Sequence, residues 1–203
     1  HLSLRRQRQM CIRDRYNHGA LSLDGINEMK LPDWSHVCQK FDIPHKDYIL
    51  VTFHPETVEL DKNKAYANVV FESLKKISED TNIVITLPNA DAAGDLYRSS
   101  MIKLSKLYPN KISIVENFGR KNYFSAMHHA SMMIGNTSSG IIESASFKKY
   151  VINVGDRQKG RMQASSIINC EPNMLKIKAA IEKAYSREFQ LLLKNTKNPY
   201  GDE

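Results

Sequence analysis

Short apolar runs alternate with longer stretches in which apolar residues recur every three or four positions. Tyr48-Ile49-Leu50-Val51-Thr52-Phe53 is the first run, and a short, nearly continuous apolar run predicts a strand buried on both faces. Ala65, Val69, Val70, Leu74 and Ile77 then fall at helical spacing and predict a helix over 62–79. Asn82 to Leu87 reads as a second strand, closed by Pro88-Asn89. Residues 91–107 read as a helix stopped by Pro109-Asn110, and Ile112 to Val115 as a third strand. A short helix over 121–130, a fourth strand over 132–134, a helix over 139–147 and a fifth strand over 150–154 follow. Ser166 to Asn169 supplies a sixth strand, and residues 173–194 are helical in one or two pieces.

Strand and helix in regular alternation, with short connections, predict an α/β domain built on a doubly wound parallel sheet, Rossmann-like in type. Right-handed crossovers then bring the loops that follow the strands to one edge. Ligands of such sheets bind along that edge. The domain is expected to occupy residues 46–203. Residues 16–45 are less regular, with Pro32 and Pro44 bracketing Trp34 and Phe41, and read as a lead-in segment or linker carrying a short helix. Residues 1–15 show neither period and stop abruptly where the readable pattern begins. They are expected to be a non-native leader, with a native basic arm as the alternative.

Composition narrows the class. A chain of 203 residues with 41% apolar content fits one domain with a sizeable core. No stretch approaches the roughly 20 apolar residues that span a bilayer, and the N-terminus lacks a secretory apolar region. Cys11, Cys38 and Cys170 form no disulfide framework, so a reducing cytoplasm is the expected setting. The seven histidines are scattered and suggest no metal site. The formal charge of +7 invites a nucleic-acid reading, but residues 1–15 hold five arginines against one aspartate, leaving +3 for the remainder. That balance suits a domain that binds a phosphorylated ligand.

Four polar motifs each follow a strand. In Gly135-Asn136-Thr137-Ser138-Ser139-Gly140-Ile141-Ile142-Glu143, glycines permit tight turns and close ligand approach. The hydroxyls and a helix start favour an anion, and Glu143 stands where it could accept hydrogen bonds from a ribose diol. The same pattern equally describes a capped helix with a serine-rich turn. It is neither a Walker A loop nor a Gly-x-Gly-x-x-Gly fingerprint. Asn153 to Arg161 carries Arg157, Lys159 and Arg161 between Gly155 and Gly160. A guanidinium grips phosphate through paired hydrogen bonds; a solvated basic turn is the plain alternative, and the motif's place beside the first favours phosphate. Phe53-His54-Pro55-Glu56-Thr57 offers a histidine that can hold or move a proton; taken alone, it reads better as a turn histidine bonded to backbone. In Leu87-Pro88-Asn89-Ala90-Asp91, Asp91 suits a helix cap and Asn89 is free to meet a ligand.

In this order the motifs resemble the hydrolysing UDP-N-acetylglucosamine 2-epimerase family of sialic and legionaminic acid biosynthesis. The matching pieces are Gly19-Ala20 through Ile26, VTFHPET (51–57), LPNADAAG (87–94), IGNTSSGIIE (134–143), INVGDRQKGR (152–161) and NPYGD (198–202). The resemblance implies one half of a GT-B-type two-domain fold, elimination of UDP to a glycal and hydration to the free 2-epimeric sugar. It implies His54 as the active-site histidine, Asn89, Thr137, Ser138, Ser139, Gly140, Glu143 and Arg157 as the nucleotide-sugar contacts, and no metal or redox cofactor. Among these, Arg157 takes the diphosphate and Glu143 the ribose. The family's N-terminal domain and final helix have no counterpart here, so a fragment that binds UDP weakly and turns nothing over is expected. The expected partners are the UDP-sugar and that N-terminal domain, with a homo-oligomer at full length and no nucleic acid or membrane. Rival readings are the nucleotide half of a GT-B glycosyltransferase and a non-catalytic binding module.

Overall fold

The structure, a computed structural model, describes residues 18–56, 60–88 and 94–201. Six strands form one parallel sheet: β1 Tyr48–Thr52, β2 Asn82–Thr86, β3 Ile112–Val115, β4 Met132–Gly135, β5 Val151–Val154 and β6 Ile167–Cys170. Their order is β3-β2-β1-β4-β5-β6, the doubly wound arrangement the alternating pattern predicts. The order reverses between β1 and β4, so the loops after these two strands diverge and leave a crevice at their carboxyl ends.

The helices are α1 Trp34–Phe41, α2 Asn63–Ile77, α3 Gly94–Leu107, α4 Arg120–His129, α5 Ser139–Ile142, α6 Met174–Ala184 and α7 Arg187–Lys194. Alternate residues of β1 enter opposite layers. Ile49 and Val51 pack with Ala67, Val70 and Leu74 of α2 and Met101 and Leu104 of α3. Tyr48 and Leu50 pack with Trp34 and Val37 of α1 and Phe124 and Met127 of α4. Burial on both faces explains why the central strands β1, β4 and β5 read as continuous apolar runs rather than alternating ones. The stretch before β1 contributes Leu23, Ile26, Trp34, Val37, Cys38 and Ile43 to the second layer. The far end of the chain meets it there: the Ala20 amide donates to the Tyr200 carbonyl at 3.0 Å.

One helix differs from expectation, and one open alternative is resolved. The one foreseen over 139–147 is a single turn, α5, followed by turns to Lys148. The Ser144 amide donates to the Ser139 carbonyl, five residues back, at 3.1 Å, which breaks the helical ladder and leaves the Gly140 carbonyl to the Ser144 hydroxyl at 2.7 Å. The helical stretch at 173–194 divides at Ser186, whose hydroxyl accepts the Phe189 amide of α7.

One register row sets the floor of the carboxyl edge: Val115, Thr86, Thr52, Gly135, Asn153 and Asn169 are successive partners across the six strands. The row turns from apolar to small and polar as it reaches the switch point. A Cβ at Gly135 would lie 1.9 Å from the Thr52 carbonyl oxygen, so only glycine lets β1 and β4 close at this level.

Candidate functional site

Asn136, the first residue beyond β4, joins three of the sequence motifs. Its carboxamide accepts the His54 amide at 2.7 Å and donates to the His54 carbonyl at 2.8 Å. Its own carbonyl accepts Arg157 Nη1 at 3.2 Å and Gln158 Nε2 at 2.8 Å. The side chain is 3% exposed, so these bonds face little competition from water. The loops after β1, β4 and β5 are therefore fastened at one residue, and His54 and Arg157 are set on either side of it. Asn136 lay within the motif read from sequence, but its bridging role, like that of Gln158, is visible only in three dimensions.

The hydroxyl loop lies next to this clamp. Thr137 Oγ1 accepts the Ser139 amide at 3.4 Å, and Ser138 occupies the cap position of α5 without a side-chain cap bond. A one-turn helix has little macrodipole, because few peptide dipoles are aligned. The dipole contribution expected from a longer helix over 139–147 is therefore small. Gly140 packs α5 against β5, where a Cβ would stand 3.0 Å from Val151 Cγ1. Asn198 braces the following turn by donating to the Ile142 carbonyl at 2.7 Å and to Ser146 Oγ at 2.8 Å.

Beyond α5, Ser139 and Glu143 line a cavity of about 360 Å³ with Thr86, Phe118, Arg120 and Tyr123. Glu143 is 7% exposed, and its Oε2 has no hydrogen-bond partner. The Tyr123 hydroxyl is buried beside Thr52 and Ser139 without a well-formed bond. Burial, helped by the nearby Glu143 charge, pushes that phenol up to about 12, so it stays protonated and able to donate. The unpartnered Glu143 oxygen and the Tyr123 hydroxyl, which rests against the hydroxyls of Thr52 and Ser139, offer an acceptor and a donor within one cavity, a recognition element that ligand hydroxyls could complete. The loop after β3, from Glu116 to Arg120, supplies much of this lining. Sequence reading passed over it, although its position after a strand is the signal that drew attention to the other four loops.

The three cations of the loop after β5 part company. Arg157 turns to Asn136, and its buried Nε has no partner. Lys159 and Arg161 line a separate cavity over β5 and β6. Gly155 and Gly160, at φ 83° and 84°, allow the reversals that separate them. Asn89 and Asp91 lie outside the described residues. Among the described residues no three His, Cys, Asp or Glu side chains gather as metal ligands would. No helix of the described residues is long and apolar enough to cross a membrane.

A model of the UDP-N-acetylglucosamine 2-epimerase family matches residues 14–203. The chain belongs to that family. It is 38% identical over 145 residues to the GDP/UDP-N,N'-diacetylbacillosamine 2-epimerase (hydrolyzing) of Campylobacter jejuni, covering 71% of this chain and 37% of that protein. It is 30% identical over 172 residues to the UDP-N,N'-diacetylbacillosamine 2-epimerase (hydrolyzing) of Legionella pneumophila, covering 83% and 44%. The chain thus spans less than half the length of these relatives. Among solved structures it superposes on an S. aureus MnaA–UDP complex with a TM-score of 0.68 at 17% identity, covering 95% of this chain and 52% of that one. That likeness shows the fold, and its half-length coverage matches one half of a GT-B-type architecture.

Proposed function

We propose that this family member forms the UDP-holding part of a hydrolysing 2-epimerase acting on a UDP-linked 2-acetamido sugar. The observation that carries the reading is the Asn136 clamp, which gathers the histidine loop and the arginine loop beside the hydroxyl loop at the sheet's switch point. Arg157 with Thr137, Ser138 and Ser139 takes the diphosphate. Glu143 takes the ribose, with Tyr123 donating beside it. Asn89 is proposed as a further contact, on the motif match alone.

The chemistry follows from this placement. Breaking the C1–O bond delivers negative charge to the diphosphate, and donors already aimed there stabilise the departing UDP. His54 stands across Asn136 from Arg157, where an imidazole can hydrogen-bond the leaving group or relay a proton. Removal of the C2 proton needs a base. Glu56, the carboxylate of the histidine loop, is 7% exposed and packs toward Gly155, so we assign the base to a part of the enzyme beyond these loops. Water then adds to the glycal, giving the free 2-epimeric sugar and UDP.

The names of the Campylobacter and Legionella relatives support the hydrolysing reaction and a 2,4-diacetamido sugar. UDP-N-acetylglucosamine is the alternative substrate. Incubating the enzyme with each UDP-sugar and no acceptor separates this reading from a glycosyltransferase, because an epimerase releases free sugar and a transferase waits for an acceptor. The 203-residue chain alone is proposed to bind UDP without turnover. Release of N-acetylmannosamine from UDP-N-acetylglucosamine by that chain would overturn this part of the proposal.

A further inference from the structure

The larger cavity at the carboxyl edge is not the one that holds Glu143. It measures about 640 Å³ and lies over the ends of β5 and β6, lined in part by Tyr66, Asn153, Lys159, Arg161, Gln163 and Lys176. It shares no lining residue with the cavity of Glu143 and Tyr123, and Arg157 is turned away from it toward Asn136.

Two features give this cavity a chemical character. Lys159 and Arg161 come from the loop after β5, and Lys176 from the first turn of α6. Among the described residues these cations outnumber the two carboxylates of the lining, Asp156 and Glu171, so the cavity favours an anion. Its floor is a ladder of carboxamides. Asn153 Nδ2 donates to Asn169 Oδ1 at 2.8 Å, and Asn169 Nδ2 donates to Gln163 Oε1 at 2.6 Å. Gln163 Nε2 donates back to Asn169 Oδ1 at 3.2 Å. Asn153 is 2% exposed, and its Oδ1 has no partner. A buried carboxamide with a spare acceptor at the inner end of such a ladder costs free energy unless a donor reaches it.

We propose that this cavity is a second ligand site, specific for a small hydroxylated anion of the sugar-phosphate class. The phosphate is held by Lys159, Arg161 and Lys176, while the carboxamides read the hydroxyls. Its volume suits a ligand of that size. Tyr66 is the single aromatic residue of the lining among the described residues, a poor provision for stacking a base, so a sugar phosphate fits better than a second nucleotide. The site is independent of the UDP reading, since its residues lie apart from Glu143 and Arg157.

The test is calorimetric titration of the 203-residue chain with N-acetylglucosamine 1-phosphate in saturating UDP, with inorganic phosphate and neutral N-acetylglucosamine as comparison probes. The sugar phosphate is expected to bind one to one and more tightly than either comparison probe. Lys159→Ala with Arg161→Ala should weaken it by about tenfold or more, while UDP affinity stays within about twofold. Arg157→Ala should do the reverse. Equal binding of inorganic phosphate would reduce the site to a simple anion hole and overturn the sugar-phosphate assignment. Failure of the sugar phosphate to bind while UDP binds, or binding indifferent to Lys159 and Arg161, would overturn the second site and leave the UDP reading standing.

Discussion

Replacing Asn136 with alanine removes the two hydrogen bonds that hold His54, at 2.7 and 2.8 Å. A buried polar group deprived of its partner costs about 1–3 kcal/mol. His54 is partly exposed, so water recovers some of that loss, and the expected destabilisation is about 2–3 kcal/mol. For a domain of this size, that lowers the melting temperature by about 5–10 °C. Binding suffers as well, because the backbone carbonyl that receives Arg157 and Gln158 belongs to the same residue. Loss of that alignment should weaken UDP by about tenfold, or ~1.4 kcal/mol. Asn136→Asp is the informative companion. It still accepts the His54 amide, but it turns an acceptor toward the His54 carbonyl and brings negative charge to the proposed diphosphate site. It should therefore bind UDP no better than Asn136→Ala. Thermal melting followed by circular dichroism, with calorimetric UDP titration, measures both effects. If Asn136→Ala melted within about a degree of the parent and bound UDP equally well, the clamp would have no energetic standing.

Three further outcomes follow from the geometry. Glu143→Gln removes a buried charge with an unpartnered oxygen, so it should leave stability unchanged or raised while weakening UDP about tenfold; a parallel loss of stability and binding would mark Glu143 as structural. Gly135→Ala drives a Cβ into the Thr52 carbonyl at 1.9 Å and should cost about 3 kcal/mol, read as a lower urea midpoint; an unchanged midpoint would show that the β1–β4 seam is loose. Burial first, and Lys149 among nearby charges, hold His128 and His129 below the ordinary value of 6.5. The unfolded chain then takes up protons before the folded one, so stability is complete above about pH 6.5 and falls as pH drops toward the folded values. Urea midpoints at about pH 7.5 and 5.5 should differ less in the double variant His128→Gln with His129→Gln, and an equal difference would contradict the assignment.

The central strands were legible because they are apolar runs buried on both faces, and such a run has few other structures open to it. The run over 48–53 and the strand Tyr48–Thr52 differ by a single residue. The length of α5 was not legible, because every residue of 139–147 is compatible with a helix until the Ser144 amide is seen bonded to the Ser139 carbonyl, five residues back. The Asn136 clamp was hidden for another reason. Its partner His54 lies 82 positions earlier, and no local pattern encodes that pairing. The split of Arg157 from Lys159 and Arg161 depends on how the backbone turns at Gly155 and Gly160, which spacing in the sequence does not specify. The loop after β3 became significant only when Phe118 was found lining the same cavity as Glu143.

The central claim is that UDP sits at the switch point between β1 and β4, with Arg157 on the diphosphate and Glu143 on the ribose. The most direct measurement is a UDP titration of the isotopically labelled chain, followed through its backbone amide resonances up to roughly millimolar nucleotide. The account predicts saturable shifts at His54, at Asn136 to Glu143, at Arg157 and Gln158, and at Tyr123, with Arg157→Ala weakening the response. Shifts confined to residues outside this set, or a response unchanged by Arg157→Ala, would contradict it.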